Sequence, residues 1–250
     1  VSTEGMTLFE VVSKIRGPKD TEVDLLILHS NEESPINIKI TRGVVDLPSV
    51  TSRQLQDNVT YVKLSSFTND THAELDGILK NISQSNQRGL ILDLRNNSGG
   101  LVESVVNIGS QFLESGLIMY QVDGQEVRED YEVKSGGKAK DIPMVVIVND
   151  YSASASEILA GALRDHKRAK LIGATTYGKG SVNVQTELSN GGGIFFTIAR
   201  WYTPKGIQIE GNGIQPDFEV KPNPDSSEDL ELTKAIEVLK QQMEAMAYRK

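Results

Sequence analysis

Cysteine is absent from the 250 residues, and histidine occurs only at His29, His72 and His166. The first absence excludes a thiol nucleophile, a disulfide framework, an iron–sulfur cluster and a thiolate zinc site. The second leaves three scattered imidazoles, none in an H-E-x-x-H pair that could hold zinc on one helix face. An enzyme of this composition is expected to do its acid–base work without histidine. Long apolar runs are also missing: the longest, such as Met144 to Val148, are strand-sized and far short of the roughly 20 residues that span a bilayer. A basic cluster is missing too. The 26 basic and 34 acidic side chains give a formal charge of −8, and phosphate neutralisation needs several lysines or arginines on one face, so nucleic acid is not an expected partner. No charged-then-apolar leader opens the chain, which begins at Val1 without a methionine. It is read as a mature or shortened form whose targeting segment lies outside it. A cysteine-free composition suits an exported bacterial protein and many cytosolic ones equally.

The length suits one large domain, or one medium domain with a partial one. Thr7-Leu8-Phe9-Glu10 has the pattern of a capping box, Leu8, Val11, Val12 and Ile15 recur at helical spacing, and Arg16-Gly17-Pro18 ends the helix. Strands are expected over Val23 to Ile27 and Ile36 to Ile40, separated by the turn-rich stretch from Ser30 to Pro35. One helix and two strands are too little for an independent domain. From Asp57 the pattern changes to strands interleaved with helices, the mark of a layered α/β core. Strands are expected at Tyr61 to Leu64, Gly89 to Leu94, Pro143 to Val148, near Leu171 and Val182, and at Ile194 to Tyr202. Helices are expected at Thr71 to Ile82, Leu101 to Leu113 and Ser154 to Asp165, with a C-terminal amphipathic helix between Asp225 and Tyr248.

Two strand-to-helix junctions carry residues fit for chemistry. At the first, Gly99 and Gly100 have no Cβ, so the backbone can approach a substrate closely. At the second, Ser152-Ala153-Ser154-Ala155-Ser156 places hydroxyls at a helix start, where free N–H groups favour an anion. A nucleophile beside two oxyanion donors can be built from these parts. Taken singly, the serines also read as caps and the glycines as turns. His166 lies near the far end of the same helix and is a poor base for this site. Lys179, flanked by Gly178 and Gly180, remains a candidate. A lysine serves as a base near neutral pH only if burial or hydrogen bonding lowers its pKa from about 10.4, and a lysine in a glycine turn is more often solvated.

Leu92-Asp93-Leu94-Arg95-Asn96-Asn97-Ser98-Gly99-Gly100, Ser152-Ala153-Ser154-Ala155-Ser156-Glu157-Ile158-Leu159-Ala160-Gly161 and Gly178-Lys179-Gly180-Ser181-Val182 together closely resemble the C-terminal processing peptidases, or tail-specific proteases. The likeness runs from about Gly5 to Val220 and includes Gly213-Ile214-Gln215-Pro216-Asp217 near the end of the core. The resemblance implies an α/β, crotonase-like (ClpP/crotonase) layered core and a serine endopeptidase that cuts exported proteins near their C-termini. By the family's 25-residue separation, it implies Ser154 as nucleophile and Lys179 as general base, with the N–H groups of Ala155 and of Gly99 or Gly100 as the oxyanion hole. Ser152 and Ser156 are read as packing or capping residues. No metal or cofactor is expected; the expected partner is a protein or peptide substrate with a free C-terminus. The implied location is extracytoplasmic, in a bacterial periplasm or at the outer face of the envelope, with any membrane attachment made by a segment outside this chain.

The chain departs from the family pattern twice. Asn183 stands where a glutamine is usual, four residues after the lysine; it is a candidate third member with a reach one methylene shorter. Residues 1–42 resemble only the second half of a PDZ domain, with Thr7, Val11 and Ile15 on the helix that lines the peptide groove. A linker is expected over 43–56, the Ser/Lys protease core over 57–220 and a helical tail over 221–250. The half-groove lacks the edge strand that would pair with a bound peptide, and its apolar face at Leu8, Val11 and Val12 invites association into a homo-oligomer. A catalytically silent peptide-binding scaffold is the alternative; an acyl-CoA enzyme of the crotonase type leaves the serine–lysine spacing unexplained. Asp93 and Arg95 are expected to form a structural ion pair, and Trp201 and Tyr202 to belong to the core. Of the N-x-[ST] triplets at Asn58, Asn69, Asn81 and Asn96, the last would block the site if glycosylated, which favours a bacterial origin.

Overall fold

The computed structural model describes residues 2–6, 8–29, 32, 34–44, 48–85, 87–221 and 228–247. Thr7 of the expected capping box, Ser30, Asn31 and Glu33 of the expected turn, and the expected first turn of the C-terminal helix before Glu228 lie outside them. The chain divides into two compact units, Val1–Leu47 and Pro48–Lys250.

The first unit holds helix α1 (Leu8–Ile15) and the strands β1 (Glu22–Ile27) and β2 (Ile36–Thr41). The strands pair antiparallel, with Val23 opposite Ile40 and Leu25 opposite Ile38. Arg42 ties the helix end to this ribbon: its Nε donates to the Ile15 carbonyl at 2.7 Å and its Nη1 to the Glu22 carbonyl at 3.0 Å. Val11 is half-buried and Ile15 is 36% exposed.

The second unit is built on a six-stranded sheet of β3 (Val50–Gln54), β4 (Val59–Leu64), β5 (Gly89–Asp93), β8 (Met144–Val148), β9 (Lys170–Gly173) and β12 (Phe218–Glu219). Its order is β12-β9-β8-β5-β4-β3, parallel throughout except for the antiparallel edge strand β3. Successive side chains of a strand point to opposite faces, so burial of both faces requires an uninterrupted apolar run. The runs Leu90-Ile91-Leu92 and Met144-Val145-Val146-Ile147-Val148 satisfy this requirement, each side chain being fully buried. Leu90, Leu92, Met144, Val146 and Val148 pack with the helices α2 (Thr71–Gln84), α3 (Val102–Phe112) and α4 (Ala155–Asp165). Ile91, Val145 and Ile147 face the other way, against Ala235, Val238, Leu239 and Met243 of α5 (Leu230–Ala247). The C-terminal helix therefore covers one face of the sheet.

A second, antiparallel sheet has the order β10-β11-β6-β7, from β6 (Leu117–Asp123), β7 (Arg128–Glu132), β10 (Ser181–Glu187) and β11 (Gly193–Tyr202). Trp201 is buried and meets the Tyr131 ring edge-on, and Tyr202 stacks on Tyr120. Two differences from the sequence expectation concern strands. The stretch 43–56, expected as a linker, contains β3, which pairs residue for residue with β4 from Val50 opposite Leu64 to Gln54 opposite Thr60. The β6–β7 ribbon and β12 were not among the expected strands, although β6 carries the apolar run Leu117-Ile118-Met119-Tyr120.

Asp93 and Arg95 form the expected ion pair at 2.7 Å, but within a larger network. The Tyr61 hydroxyl donates to Asp93 Oδ2 at 2.5 Å, and Arg95 reaches across to Asp229 at 2.8 Å and Glu231 at 2.6 Å, beside and within α5. Burial, reinforced by Asp93, pushes the Tyr61 phenol up, so the hydroxyl stays protonated and donating. Burial also works to raise the Asp229 carboxyl, yet hydrogen bonds from Arg95 and the Leu232 N–H outweigh it and hold the group below its ordinary 3.8. A carboxyl depressed in the folded state contributes stability above its unfolded value and loses it as pH falls through the folded value. The urea midpoint of the second unit is therefore expected to drop as pH falls below the ordinary carboxylate range. Arg95→Met is expected to flatten part of that drop and to cost about 3 kcal/mol at neutral pH, because it strands the buried Asp93; urea titrations of both proteins measure the two effects.

Candidate active site

Open parallel sheets bind ligands beyond the carboxyl ends of their strands. Here β5 and β8 are neighbours, with Leu92 opposite Val146 and Asp93 opposite Ile147, so the loops that leave them toward α3 and α4 are also neighbours. Asn97 fastens the first loop by donating from Nδ2 to the Leu64 carbonyl at 2.8 Å. Ser152 and Ser156 fasten the second: their hydroxyls donate to the carbonyls of Leu94 at 2.8 Å and Asn97 at 2.9 Å. Both serines thus turn inward to the neighbouring loop.

Ser154, between them, is half-buried and is the residue immediately before α4. Its backbone has φ 55° and ψ −117°. A non-glycine residue held there costs of order 1–3 kcal/mol and persists only where its surroundings impose it. The same strand–turn–helix bend forms the nucleophile elbow of α/β-hydrolases. Gly99 lies against this bend: a Cβ on Gly99 would come within 2.8 Å of Ser154 Cβ and 3.0 Å of the Ala155 nitrogen. Gly99 also has φ +103° and Gly100 φ +149°, and a Cβ on Gly100 would sit 2.1 Å from the Phe67 carbonyl oxygen. Only glycines fit this approach of backbone to backbone.

The sequence left the first oxyanion donor open between Gly99 and Gly100. The Gly99 N–H donates to Asn97 Oδ1 at 2.9 Å, so it is engaged. Among the described residues, the N–H groups of Gly100, which is exposed, and of Ala155, the first residue of α4, have no hydrogen-bond partner.

Lys179 follows Thr176-Tyr177-Gly178, and its side chain is exposed. One fully buried carboxylate joins its loop to Ser154. Glu157 Oε2 accepts from the Ser154 N–H at 2.9 Å and from the Lys179 N–H at 2.8 Å; Oε1 accepts from the Gly178 N–H and the Thr176 hydroxyl, both at 2.6 Å. On its other side the loop is held by Glu210, whose Oε2 accepts from the Gly180 N–H at 2.7 Å. The structure therefore brings Ser154, Gly99, Gly100, Ala155 and the main chain of Lys179 together. Among the described residues, no hydrogen bond joins Ser154 Oγ to Lys179 Nζ.

Asn183, the candidate third member, lies on β10. A bulge between Val182 and Asn183 shifts the register of β10, and the side-chain amide donates to Ser181 Oγ at 3.1 Å and accepts from Thr197 Oγ1 at 2.7 Å. Among the described residues, no hydrogen bond joins it to Lys179. Two of the imidazoles are engaged elsewhere, His72 with Gln111 and His166 with the Leu117 carbonyl. Among the described residues no group of three His, Asp or Glu side chains is placed to hold a metal ion. Glu157 was not singled out from the sequence; the available signal was the spacing Ser154-x-x-Glu157, which has the form of a capping box.

A serine strained at a helix start, two free N–H groups and an adjoining lysine loop thus meet at one end of an α/β scaffold. The model of peptidase family S41 matches residues 58–220, and the chain belongs to that family. It is 40% identical to a carboxyl-terminal-processing protease of Synechocystis sp. over 88% of the chain and 52% of that protein. It is 36% identical to a carboxy-terminal-processing protease of Bartonella bacilliformis over 92% of the chain and 54% of that protein. Among solved structures, a photosystem II D1 C-terminal processing protease superposes with a TM-score of 0.73 at 30% identity, covering 94% of this chain and 64% of its own. The chain spans about half the length of the curated relatives it matches.

The contact of Gly99 with Ser154 makes a direct prediction. Gly99→Ala is expected to slow phosphonylation of Ser154 by a fluorophosphonate about 10²-fold, because the added methyl displaces the loop from the bend. Labelling at the parent rate, followed by gel fluorescence, would remove Gly99 from the site.

Proposed function

We propose that the second unit is the catalytic core of a serine endopeptidase, crotonase-like in architecture, that cuts exported proteins near their C-termini through an acyl-enzyme. The observation that carries this reading is the convergence of Ser154, the free N–H groups of Gly100 and Ala155, and the Lys179 loop at one end of the sheet. Ser154 Oγ attacks the scissile carbonyl, and Lys179 Nζ takes the hydroxyl proton. The Gly100 and Ala155 N–H groups hold the tetrahedral oxygen, and the lysine then returns the proton to the leaving amine. Water, deprotonated by the same amine, attacks the ester and frees Ser154. In this scheme Lys179, whose side chain is exposed, rotates toward Ser154 when substrate covers the site.

The names of the relatives, which specify carboxyl-terminal processing, support a polypeptide substrate cut near its C-terminus. No described helix is long and apolar enough to cross a membrane. The first unit is read as the second half of a PDZ domain. Its helix followed by an antiparallel ribbon supports that reading, with Val11 and Ile15 on the helix that would line a peptide groove.

Ser154→Ala and Lys179→Ala are each expected to abolish cleavage of an unfolded protein substrate while leaving circular dichroism unchanged. Cleavage at the parent rate in both variants would reject the serine–lysine pair. The parent's kcat/KM is expected to rise with pH as the neutral form of the base gains population; a profile flat through neutral and alkaline pH would contradict a lysine base.

A further inference from the structure

Proton transfer in the scheme above makes no use of Glu157, although its carboxylate is fully buried and touches both halves of the site. Each of its oxygens accepts two hydrogen bonds, so the main-chain nitrogens of Ser154 and Lys179 are held on one atom. We propose that Glu157 is a positioning residue, which holds Ser154 in its strained bend and fixes the distance from that bend to the lysine loop. The proposal rests on the reading of Ser154 as nucleophile and Lys179 as base.

Three of the four donors are backbone N–H groups, and two of those belong to the loop: Gly178 on Oε1 and Lys179 on Oε2. A carboxylate is the side chain that presents acceptors alone on both of its atoms. A glutamine of the same size carries one NH2. Whichever way its amide turns, that NH2 opposes either the Gly178 or the Lys179 N–H, and the loop loses an anchor. Thr176 extends the clamp. Its hydroxyl donates to Glu157 and accepts from the Ile214 N–H at 2.7 Å, so the carboxylate also braces the segment beneath the loop.

The test compares Glu157→Gln with Lys179→Ala by two readouts: the rate at which a fluorophosphonate phosphonylates Ser154 with loss of fluoride, taken as the measure of acylation, with its pH dependence, and amide hydrogen exchange at positions 178 and 179. Glu157→Gln is expected to speed exchange at one or both amides and to slow acylation between about tenfold and 10²-fold, the penalty for misplacing reacting groups by about 1 Å. Lys179→Ala removes only the side chain, so slow exchange should persist while acylation is lost. Parent-like exchange and acylation in Glu157→Gln would overturn the clamp. A merely structural glutamate would lower thermal stability yet leave the acylation rate of the folded fraction, and its pH profile, at parent values; that result also overturns the proposal. Parent-like acylation in Lys179→Ala would instead reject the lysine base and leave the exchange result to judge the clamp. Should Glu157→Gln fail to fold, the unmodified chain decides: the Gly178 and Lys179 amides must exchange with the slowly exchanging core, and fast exchange at both overturns the proposal.

Discussion

The site depends on one buried carboxylate with four hydrogen-bond donors. Burying a charge without partners is costly, whereas a carboxylate whose oxygens are fully occupied by N–H and O–H groups is a fixed point in a low-dielectric interior. Glu157 is such a point, and its donors belong to three segments: the bend at Ser154, the strut at Thr176 and the loop carrying Lys179. The unusual dihedral angles of Ser154 are sustained by this arrangement and by the close approach of Gly99. Strain at Ser154, glycine at positions 99 and 100 and the placement of the lysine loop are therefore consequences of one packing solution.

The scaffold beneath makes that solution possible. A parallel sheet covered on both faces places the ends of β5 and β8 side by side and aims their loops at the same region. The Arg95 network then joins the first of these loops to the start of α5. That helix packs under the sheet on Ile91, Val145 and Ile147. The loop after β5 is thus anchored from below by ions and from the side by the inward-turned hydroxyls of Ser152 and Ser156.

Much of this was legible from residue order because burial on both faces leaves a mark. The runs around Leu90 and Met144 had to be apolar throughout, because both faces of those strands are covered. The edge strands left no such mark. β3 reads Val-Thr-Ser-Arg-Gln and β7 reads Arg-Glu-Asp-Tyr-Glu, largely exposed strands held by main-chain pairing that carries no residue signature. The same reason hid Glu157. Its partners lie up to 22 residues away and most are backbone N–H groups, so its sequence neighbours say nothing of the Lys179 loop. Asn183 was visible for its amide, yet the register shift that turns it toward Ser181 and Thr197 arises only in the folded ribbon.

The most direct measurement of the central claim is the crystal structure of the chain phosphonylated by a peptidyl phosphonate. The account predicts phosphorus on Ser154 Oγ, a phosphonyl oxygen within about 3 Å of the Gly100 and Ala155 nitrogens, and Lys179 Nζ turned in to hydrogen-bond distance of the adduct. Phosphorus on Ser152 or Ser156, or an adduct on Ser154 with Lys179 still pointing to solvent and another group at the leaving position, would contradict it.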